Sequence, residues 1–476
     1  MQDLALAVYI VCTLGLACYG ANSLYLTWCY RKTRRVRHQC DPYLRPTVTV
    51  QLPLYNEMNV AERLVRAAAG LDYDADRLVV QILDDSSDGT TTIVDAVLAD
   101  VSLPRGVRVQ HVRRATREGY KAGALAAGMQ LSPTDLYAVF DADFLPPADF
   151  LERTVGHFAD PAVGMVQARW GHLNRRESLL TRAQALAIDA HFAVEQQARF
   201  GSGLLLNFNG SAGLWRGAAI VDAGGWSGDT LTEDLDLSYR AQLRGWKAVY
   251  AADVEVPAEI PADINAFKNQ QFRWAKGSLQ TARKLLPAVI ASSLPRRVKA
   301  QACIHLLGYL VHPLLVGLLL TTAVVLRHLP TPGAALTITL LAATGPPLLV
   351  IVSQHDLHRD WLRRALGVPV LVALGIGVAV VGTRAFVEVI LGVRSGFVRT
   401  PKQGEGSRAA DYRTLRGAMP LLELALAAVA AYTVTAALHA GRPTAVPFLL
   451  LYLAGFGSVG VISLLGSNPG GPRLPW

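Results

Sequence analysis

Four short motifs in this chain combine residue types that can act on a charged substrate. Three are acidic, and the fourth places a guanidinium beside an indole. In chain order they are Asp84-Asp85, Asp141-Ala142-Asp143, Thr232-Glu233-Asp234 and Gln270-Gln271-Phe272-Arg273-Trp274. Gathered carboxylates repel one another, so on a chain of formal net charge +9 they need cations, protons or hydrogen-bond donors nearby. An Arg-Trp pair suits a phosphate and the flat face of a sugar.

Asp141 and Asp143 are spaced so that both can reach one divalent cation, which prefers oxygen ligands and often shares them with substrate phosphates. Each acidic motif alone has an ordinary explanation. Asp-x-Asp is common in surface turns, adjacent aspartates cap turns, and acidic residues are favoured where a helix begins. Together, at one place in a fold, the three motifs favour a shared site.

The segments before these motifs alternate between strand-like and helix-like patterns. Strands are predicted at 47–52, 78–83, 107–112 and 136–140, and helices at 60–70, 90–98 and 121–129. Such alternation is typical of an α/β fold with a parallel, doubly wound sheet. Ligands of such sheets bind beyond the carboxyl ends of the strands, where both aspartate pairs fall. We therefore expect them to contribute to one site.

Long apolar segments indicate a membrane protein. The chain is 51% hydrophobic, and segments 4–28, 303–326, 334–352, 368–390, 420–438 and 446–465 each have about the length needed to cross, roughly 20 residues. The first is too long for a signal-peptide core and precedes a basic run, so it is predicted to be a retained helix with that run in the cytoplasm. Lys and Arg cluster beside apolar segments and no interleaved basic and aromatic strip is present, so nucleic-acid binding is not expected. The five cysteines form no metal or disulfide pattern.

The segment 368–390 is predicted to be re-entrant or interfacial, because basic residues flank it on both sides and Arg384 and Glu388 interrupt it. The loop that follows is also basic and should remain in the cytoplasm. Five crossings then remain, with the N-terminus outside.

The ordered motifs resemble those of membrane-embedded glycosyltransferase family 2, which includes cellulose and hyaluronan synthases. The likeness is greatest to cellulose-synthase-like glucomannan and mannan synthases and extends from about residue 52 to 404. It also includes Gly119-Tyr120-Lys121-Ala122-Gly123 and Phe208-Asn209-Gly210-Ser211, and residues 397–402 look like the gating loop of cellulose synthases.

The resemblance implies a GT-A-like nucleotide-sugar-binding domain in the cytoplasm, an α-helical membrane bundle and interfacial helices. It implies roles for individual residues. Those expected to bind the nucleotide sugar are Tyr55, Glu57, Asp84, Asp85, Lys121, Asp141, Arg273, Thr400 and Lys402. Asp143, with Asp141, would hold Mg²⁺ or Mn²⁺; Asp234, beside Glu233, would be the catalytic base. The acceptor sugar would meet Trp274, Gln270, Phe208, Asn209, Gly210 and Ser211.

The predicted organisation has six parts. They are a transmembrane helix at 1–30, the glycosyltransferase domain at 45–260, interface helices at 261–300, transmembrane helices with the re-entrant segment at 301–394, a cytoplasmic gating loop at 395–417 and C-terminal transmembrane helices at 418–466. A multi-pass protein of a bacterial plasma membrane, in contact with its lipids, is expected.

The function expected from the resemblance is a processive, inverting hexosyltransferase that uses UDP-glucose or GDP-mannose, builds a β-1,4-linked polysaccharide and moves it across the membrane. A single carboxylate base and direct displacement invert the anomeric carbon. One alternative is a lipid glycosyltransferase that adds one sugar to ceramide or diacylglycerol. Another is a membrane scaffold that has lost activity, which the intact Asp143, Asp234, Arg273 and Trp274 argue against.

Overall fold

The computed structural model describes residues 2–100, 106–328, 333–393 and 418–465, with side chains described except at 327, 328 and 333–341. An α/β domain follows the first helix, and helices make up the rest. The strands are β1 Val48–Leu54, β2 Leu78–Asp84, β3 Arg108–Arg113, β4 Leu136–Val139, β5 Val163–His172, β6 Gly213–Arg216 and β7 Lys247–Ala258. The first ten helices are α1 Gln2–Thr33, α2 Ala61–Ala69, α3 Thr90–Leu98, α4 Tyr120–Leu131, α5 Phe150–Thr154, α6 Leu179–Asp189, α7 Gln197–Gly201, α8 Gly217–Asp222, α9 Glu233–Leu243 and α10 Ile264–Ala291.

The strands form one sheet in the order β3-β2-β1-β4-β6-β5-β7. The first four strands are parallel, as the alternating sequence pattern predicts. The residues of β1, β2 and β4 are mostly apolar and buried, as expected for strands covered on both faces. Strand β3, at the edge of the sheet, is more polar and only partly buried. Sheet order reverses between β1 and β4, and this reversal opens a crevice at their carboxyl ends.

The sheet is mixed rather than wholly parallel. Strand β6 runs antiparallel to both β4 and β5. It is only four residues long and follows the glycine-rich segment around Gly210, so the periodicity of the sequence carries little signal for it. The segment 209–211, which precedes this antiparallel strand, lies at the same sheet edge as Asp141. The hydrogen bond from Asp141 N to Ser211 Oγ, 3.0 Å long, connects the two segments.

The remaining helices are α11 Arg296–Leu306, α12 Val311–His328, α13 Gly333–Leu357, α14 Trp361–Ala365, α15 Val368–Gly377, α16 Ala379–Ile390, α17 Met419–His439 and α18 Val446–Leu465. Within the described residues, five helical stretches are long and apolar enough to cross a membrane. They are Gln2–Thr33, Gly308–Leu326, Trp361–Ile390, Met419–His439 and Pro443–Leu465. The predicted crossing at 334–352 falls within α13, part of which lacks described side chains, and it stays a prediction.

The segment predicted to be re-entrant has a break at Val378, which separates α15 from α16. Each half is about 15–18 Å long at 1.5 Å per residue, against a hydrocarbon core of about 30 Å. Helix α15 packs against α18 and α6, whereas α16 packs against α10 and α12. The break supports a re-entrant or interfacial segment, although the whole stretch Trp361–Ile390 is long enough to cross.

A buried carboxylate joins the α/β domain to the helical part. Asp189, at the end of α6, accepts from His172 Nε2 at 2.8 Å and from Gln354 Nε2 at 3.0 Å, and lies 3.3 Å from His358 Nε2. Burial would raise the pKa of Asp189, but the hydrogen bonds with His172 and His358 outweigh it and lower the pKa. Because Gln354 and His358 belong to the C-terminal end of α13 and its extension, this seam ties the two parts together.

Candidate functional site

A cleft opens at the carboxyl ends of β1, β2 and β4. All four motifs found in the sequence contribute to its wall. The predicted site residues that line it are Tyr55, Glu57, Asp85, Lys121, Asp141, Asp143, Asn209, Gly210, Glu233, Asp234, Gln270, Arg273 and Trp274. The sheet edge and helices α9 and α10 together therefore bring residues more than 200 positions apart into one cleft.

Lys121 is the central cation of the cleft. Its Nζ lies 2.6 Å from Asp141 Oδ1 and 3.7 Å from Glu233 Oε1, and it donates to the carbonyl of Gly210 over 2.8 Å. Burial would lower the pKa of Lys121, but the charges of Asp141 and Glu233 outweigh burial, so the pKa is raised. The ammonium is therefore permanently charged and holds three motifs in register.

Asp234 is the carboxylate best suited to take up a proton. Burial, followed by the charge of Glu233, raises its pKa to about 7, and Lys121 opposes this. Its Oδ1 accepts from Leu235 N over 2.8 Å, in the first turn of α9, which leaves Oδ2 directed toward Gly210. Gly210 has φ +82°, and a Cβ there would lie 2.8 Å from Asp234 Oδ2. Only glycine leaves the base this space.

Helix α10 brings Arg273 and Trp274 to the same place because it packs directly on the start of α9. Leu231 N donates to Gln280 Oε1 over 3.0 Å, and Lys284 Nζ lies 2.9 Å from Asp236 Oδ1. Burial lowers the pKa of Arg273, while the charges of four nearby carboxylates oppose the shift. Those carboxylates are Asp141, Glu233, Asp143 and Asp234. A guanidinium facing four carboxylates is placed to bind a phosphate that enters between them.

The charge balance of the cleft fits a bound divalent cation. The same four carboxylates face two cations, Lys121 and Arg273, so further positive charge is needed once a diphosphate enters. In the described part of the chain no group of three or more His, Cys, Asp or Glu side chains is arranged to hold a metal ion. Asp141 and Asp143 would therefore supply two carboxylates, a ligand set typical of Mg²⁺ or Mn²⁺ sites completed by substrate phosphates.

A second group lines the other end of the cleft, after β1 and β3. The guanidinium carbon of Arg117 lies 3.2 Å from the centre of the Tyr55 ring. Asp85 accepts from Arg114 Nε over 3.0 Å and also from its terminal nitrogen. A flat aromatic ring backed by guanidinium groups is a surface on which a nucleoside base can stack.

The comparisons with known proteins agree with this geometry. The family described as "Glycosyltransferase like family 2" matches residues 46–277. Residues 46–277 therefore belong to glycosyltransferase family 2. The domain is 42% identical over 255 residues to glucomannan 4-beta-mannosyltransferase 2 of Arabidopsis thaliana, covering 53% of this chain and 48% of that one. It is 40% identical over 266 residues to glucomannan 4-beta-mannosyltransferase 1 of Cyamopsis tetragonoloba, covering 55% and 50%.

This chain spans about half the length of the curated relatives it matches. Among solved structures, it is similar to mannosyltransferase PcManGT from Pyrobaculum calidifontis, determined in complex with GDP-Man and Mn²⁺. The TM-score is 0.58 at 21% identity, and the match covers 82% of this chain and 100% of that one. At this level of identity the similarity supports the fold alone.

Some residues expected in the site of the glycosyltransferase domain lie behind its wall. Asp84 is buried, and its carboxylate accepts from Thr91 Oγ1 and Ser86 N and pairs with His111. Burial would raise the pKa of Asp84, but these hydrogen bonds lower it. Asp84 is therefore placed to shape the loop that carries Asp85, rather than to contact a ligand.

Phe208 and Ser211 are also buried behind the wall. Phe208 packs edge to face on Trp215, with ring centres 5.5 Å apart. Ser211 accepts from Asp141 N and so orients the segment that carries this aspartate. Of the four residues 208–211 expected at the acceptor, only Asn209 and Gly210 line the cleft. Thr400 and Lys402 lie outside the described residues.

Sequence reasoning missed Arg117 and Glu259, which both line the cleft of the glycosyltransferase domain. Glu259 Oε2 pairs with Arg63 over 2.7 Å. Arg117 follows β3 at the edge where β1 and β2 also end. The basic residues after the third predicted strand could therefore have been predicted to lie near the cleft. Trp170 lines the cleft and stacks on Phe192. Trp226 does not line this cleft and packs edge to face against Trp215.

Proposed function

We propose that this protein is a processive, inverting hexosyltransferase that polymerises a nucleotide-activated hexose into a β-1,4-linked polysaccharide. Mannose from GDP-mannose is the first candidate, because the curated relatives are named 4-beta-mannosyltransferases and the structural neighbour binds GDP-Man. The observation that carries the proposal is the meeting of Asp234, Arg273 and Trp274 in one cleft beside the apolar helices.

Asp234 is the base in this mechanism. Its carboxylate takes the proton of the attacking hydroxyl, a poor nucleophile near neutral pH. The oxygen forms a bond to the anomeric carbon while the bond from that carbon to the diphosphate breaks, so the configuration inverts. Trp274 offers a flat face for the terminal sugar, and Gly210 leaves room for the hydroxyl beside Asp234 Oδ2.

Arg273 and Lys121 stabilise the departing nucleoside diphosphate, whose negative charge grows as the bond breaks. Both are half-buried cations on the wall of the cleft that the diphosphate would enter. Asp141 and Asp143 would hold Mg²⁺ or Mn²⁺, which neutralises the diphosphate when bound. Tyr55, Arg117 and Asp85 would bind the nucleoside part of the donor.

We propose that the polymer leaves between the membrane helices, and this proposal is supported by α10, which lines the cleft and also packs against α16 and α18. We propose that lipids surround these helices and that the glycosyltransferase domain faces the cytoplasm. The loop at 397–402, with Thr400 and Lys402, would close over the donor.

The test is product analysis with the full chain in lipid nanodiscs. Labelled GDP-mannose and UDP-glucose are supplied separately, with Mg²⁺, with Mn²⁺ or with EDTA, and Asp234→Asn serves as the inactive control. The expected product is a metal-dependent, insoluble polymer from GDP-mannose that an endo-β-mannanase degrades and an endoglucanase leaves intact. Label extracted into chloroform would instead identify a lipid glycosyltransferase, and no transfer from either donor would overturn the proposal.

A further inference from the structure

We propose that His191 and Glu195 are positioning residues that fix the carboxamide of Asn209 for an acceptor sugar hydroxyl. The inference rests on the proposed function. It assigns to His191 and Glu195, which do not line the cleft, an indirect part in acceptor binding. Asn209 is on the cleft wall, next to Gly210 and therefore next to Asp234. His191 and Glu195 lie behind it.

A chain of three hydrogen bonds connects these residues. Glu195 Oε2 lies 2.8 Å from His191 Nδ1, and His191 Nε2 lies 3.1 Å from Asn209 Nδ2. A carboxylate only accepts, so Nδ1 carries the proton of a neutral imidazole and Nε2 accepts from the amide. Gln196 Nε2 donates to Asn209 Oδ1 over 2.7 Å. Both ends of the carboxamide are thus held, and its flip is prevented.

The fixed carboxamide keeps hydrogen-bonding capacity for a ligand. An asparagine amide has two N–H donors, and the contact with His191 uses one. The second N–H is available to an oxygen that enters the cleft. A sugar hydroxyl beside Asp234 Oδ2 could accept from Asn209 while it donates to the base, and this would orient the lone pair that attacks.

The residues that hold the Asn209 carboxamide lie on a π-helix, Ala190–Gln196, between α6 and α7, whereas its backbone N–H donates to Gln167 Oε1 on β5. Isolated π-turns are rare and occur often at functional sites, because they turn side chains away from the α-helical register. Here one such segment carries His191, Glu195 and Gln196. The segment also packs against α1 and α13, so it connects the cleft with the membrane helices.

The exposure of this pair differs from that of a purely structural pair. The side chains of His191 and Glu195 are 26% and 32% exposed, whereas those of His172 and Asp189, which join the same region to α13, are 7% and 3% exposed. The π-helix that carries the pair contacts α1 and α13, so the partly exposed pair lies on the side of the cleft that faces the membrane helices.

The test separates acceptor positioning from donor binding. The variants are His191→Leu, Glu195→Leu and Glu195→Gln, with Gln197→Ala as control, since the Gln197 side chain donates to the carbonyls of Thr33 and Val36 rather than to Asn209. We expect His191→Leu and Glu195→Leu to lower kcat for polymer formation about tenfold, the effect of one lost hydrogen bond. The KM for donor should change less than about twofold, and the fraction of donor hydrolysed to free sugar should rise. Glu195→Gln, which keeps an oxygen for Nδ1–H, should retain most of the activity.

Asn209→Leu should reproduce the loss, and His191→Leu/Asn209→Leu should lose no more than Asn209→Leu alone, because both act through one contact. Unchanged polymer formation in His191→Leu, or additive losses in the double variant, would overturn the inference. So would a parallel rise in donor KM with unchanged hydrolysis, which indicates a general structural defect. Absence of transfer by the wild-type protein would overturn the proposed function and the inference with it.

Discussion

At the scale of single residues, Asp234 has the environment that a general base requires. It is buried, lies beside Glu233 and faces Lys121, and its pKa is raised to about 7. A base whose pKa lies near the working pH is deprotonated often enough to act and is still basic enough to take a proton. Its raised pKa is a physical reason to place the reaction at this carboxylate.

The rate of sugar transfer should fall as the pH drops below about 7, because protonated Asp234 cannot accept the hydroxyl proton. The measurement is kcat for polymer formation between pH 5 and 9 at saturating donor. Asp234→Asn should reduce kcat by about 10²–10⁴-fold at pH 8, where the wild-type carboxylate is deprotonated, and by much less at pH 5, while GDP binding remains nearly unchanged. A wild-type rate that stays flat down to pH 5 would exclude Asp234 as the base.

Asp234 should also lower the stability of the protein at alkaline pH. Its pKa in the folded protein lies above the ordinary 3.8, so folding favours the protonated form. The resulting loss of stability is absent below about pH 4, grows as the pH approaches 7 and is constant above it. Asp234→Asn should therefore raise the melting temperature at pH 8 more than at pH 4.5, as measured by thermal unfolding in detergent. An equal effect at both values would contradict this.

The sequence predicts most of the site, because the carboxyl ends of parallel strands converge at one sheet edge. The sequence does not show that Asp85 lines the cleft while Asp84 is buried behind it. The direction of each side chain depends on the residue at which β2 ends and the loop begins. Nor does the sequence place Arg117, whose position over Tyr55 depends on the turn that precedes α4. These failures concern loops, where spacing along the chain does not determine distance in space.

At the scale of elements, α10 is held against the membrane helices by two buried ion pairs. Lys268 Nζ lies 2.5 Å from Glu423 Oε1 in α17, and Lys276 Nζ lies 2.6 Å from Glu388 Oε2 in α16. The two lysines are on either side of Arg273, about 12 Å apart along the helix. The pairs therefore fix the segment of α10 that carries Arg273 and Trp274, the side chains proposed to bind phosphate and sugar.

Breaking the first pair should destabilise the protein strongly. Lys268→Met leaves Glu423, which is fully buried, without its cation, at an expected loss of about 3–5 kcal/mol. Lys268→Met/Glu423→Leu should recover much of this loss, because no buried charge remains. Thermal unfolding in nanodiscs measures both. If the double variant is as unstable as the single one, the pair is not the cause.

Close contact between α15 and α18 provides a second test at this scale. A Cβ at Gly377 would lie 2.6 Å from the carbonyl oxygen of Gly455 and would clash with Val459, whereas nothing lies within 4 Å of one at Gly375. Gly377→Ala should therefore destabilise the protein by about 1–3 kcal/mol through overpacking. The matched control Gly375→Ala, two residues away on the same helix, should be neutral or slightly stabilising. Equal effects would argue against close packing here.

Element types were more predictable than their directions. The strong patterns of β1 to β4 and of α10 gave the correct elements within a few residues. Strand β6 starts after the turn at Gly210, beside the carboxyl end of β4, and therefore runs antiparallel to β4. This direction depends on how the chain packs in three dimensions, so local sequence patterns do not predict it. The break at Val378 directly follows Gly377, the last residue of α15, and glycine is a weak helix former, so the sequence carried a local signal for this break.

At the scale of the whole molecule, the break at Val378 bears on the orientation of the loop that follows. If α15 and α16 enter and leave the membrane on the same side, residue Ser395 stays on the face that carries the glycosyltransferase domain. If they cross as one helix, it lies on the opposite face. The number of crossings thus decides whether residues 397–402 can reach the donor.

Ser395→Cys, in a background without native cysteines, should react with a membrane-impermeant maleimide only after sealed cells are permeabilised. Thr444→Cys, between α17 and α18, is the control and should react in intact cells, because one further crossing places it outside. Labelling of Ser395→Cys in intact cells would show a full crossing and would exclude closure of this loop over the donor.

The contact between Asp189 and α13 predicts how the α/β domain would behave when it is expressed alone. Cutting the polypeptide near residue 260 removes Gln354 and His358, two of the three partners of a carboxylate that is 3% exposed. The released fragment would also expose the apolar residues that Leu349, Val350 and Val352 of α13 cover. We expect it to aggregate on expression, and polar substitutions on that uncovered apolar surface should reduce the aggregation.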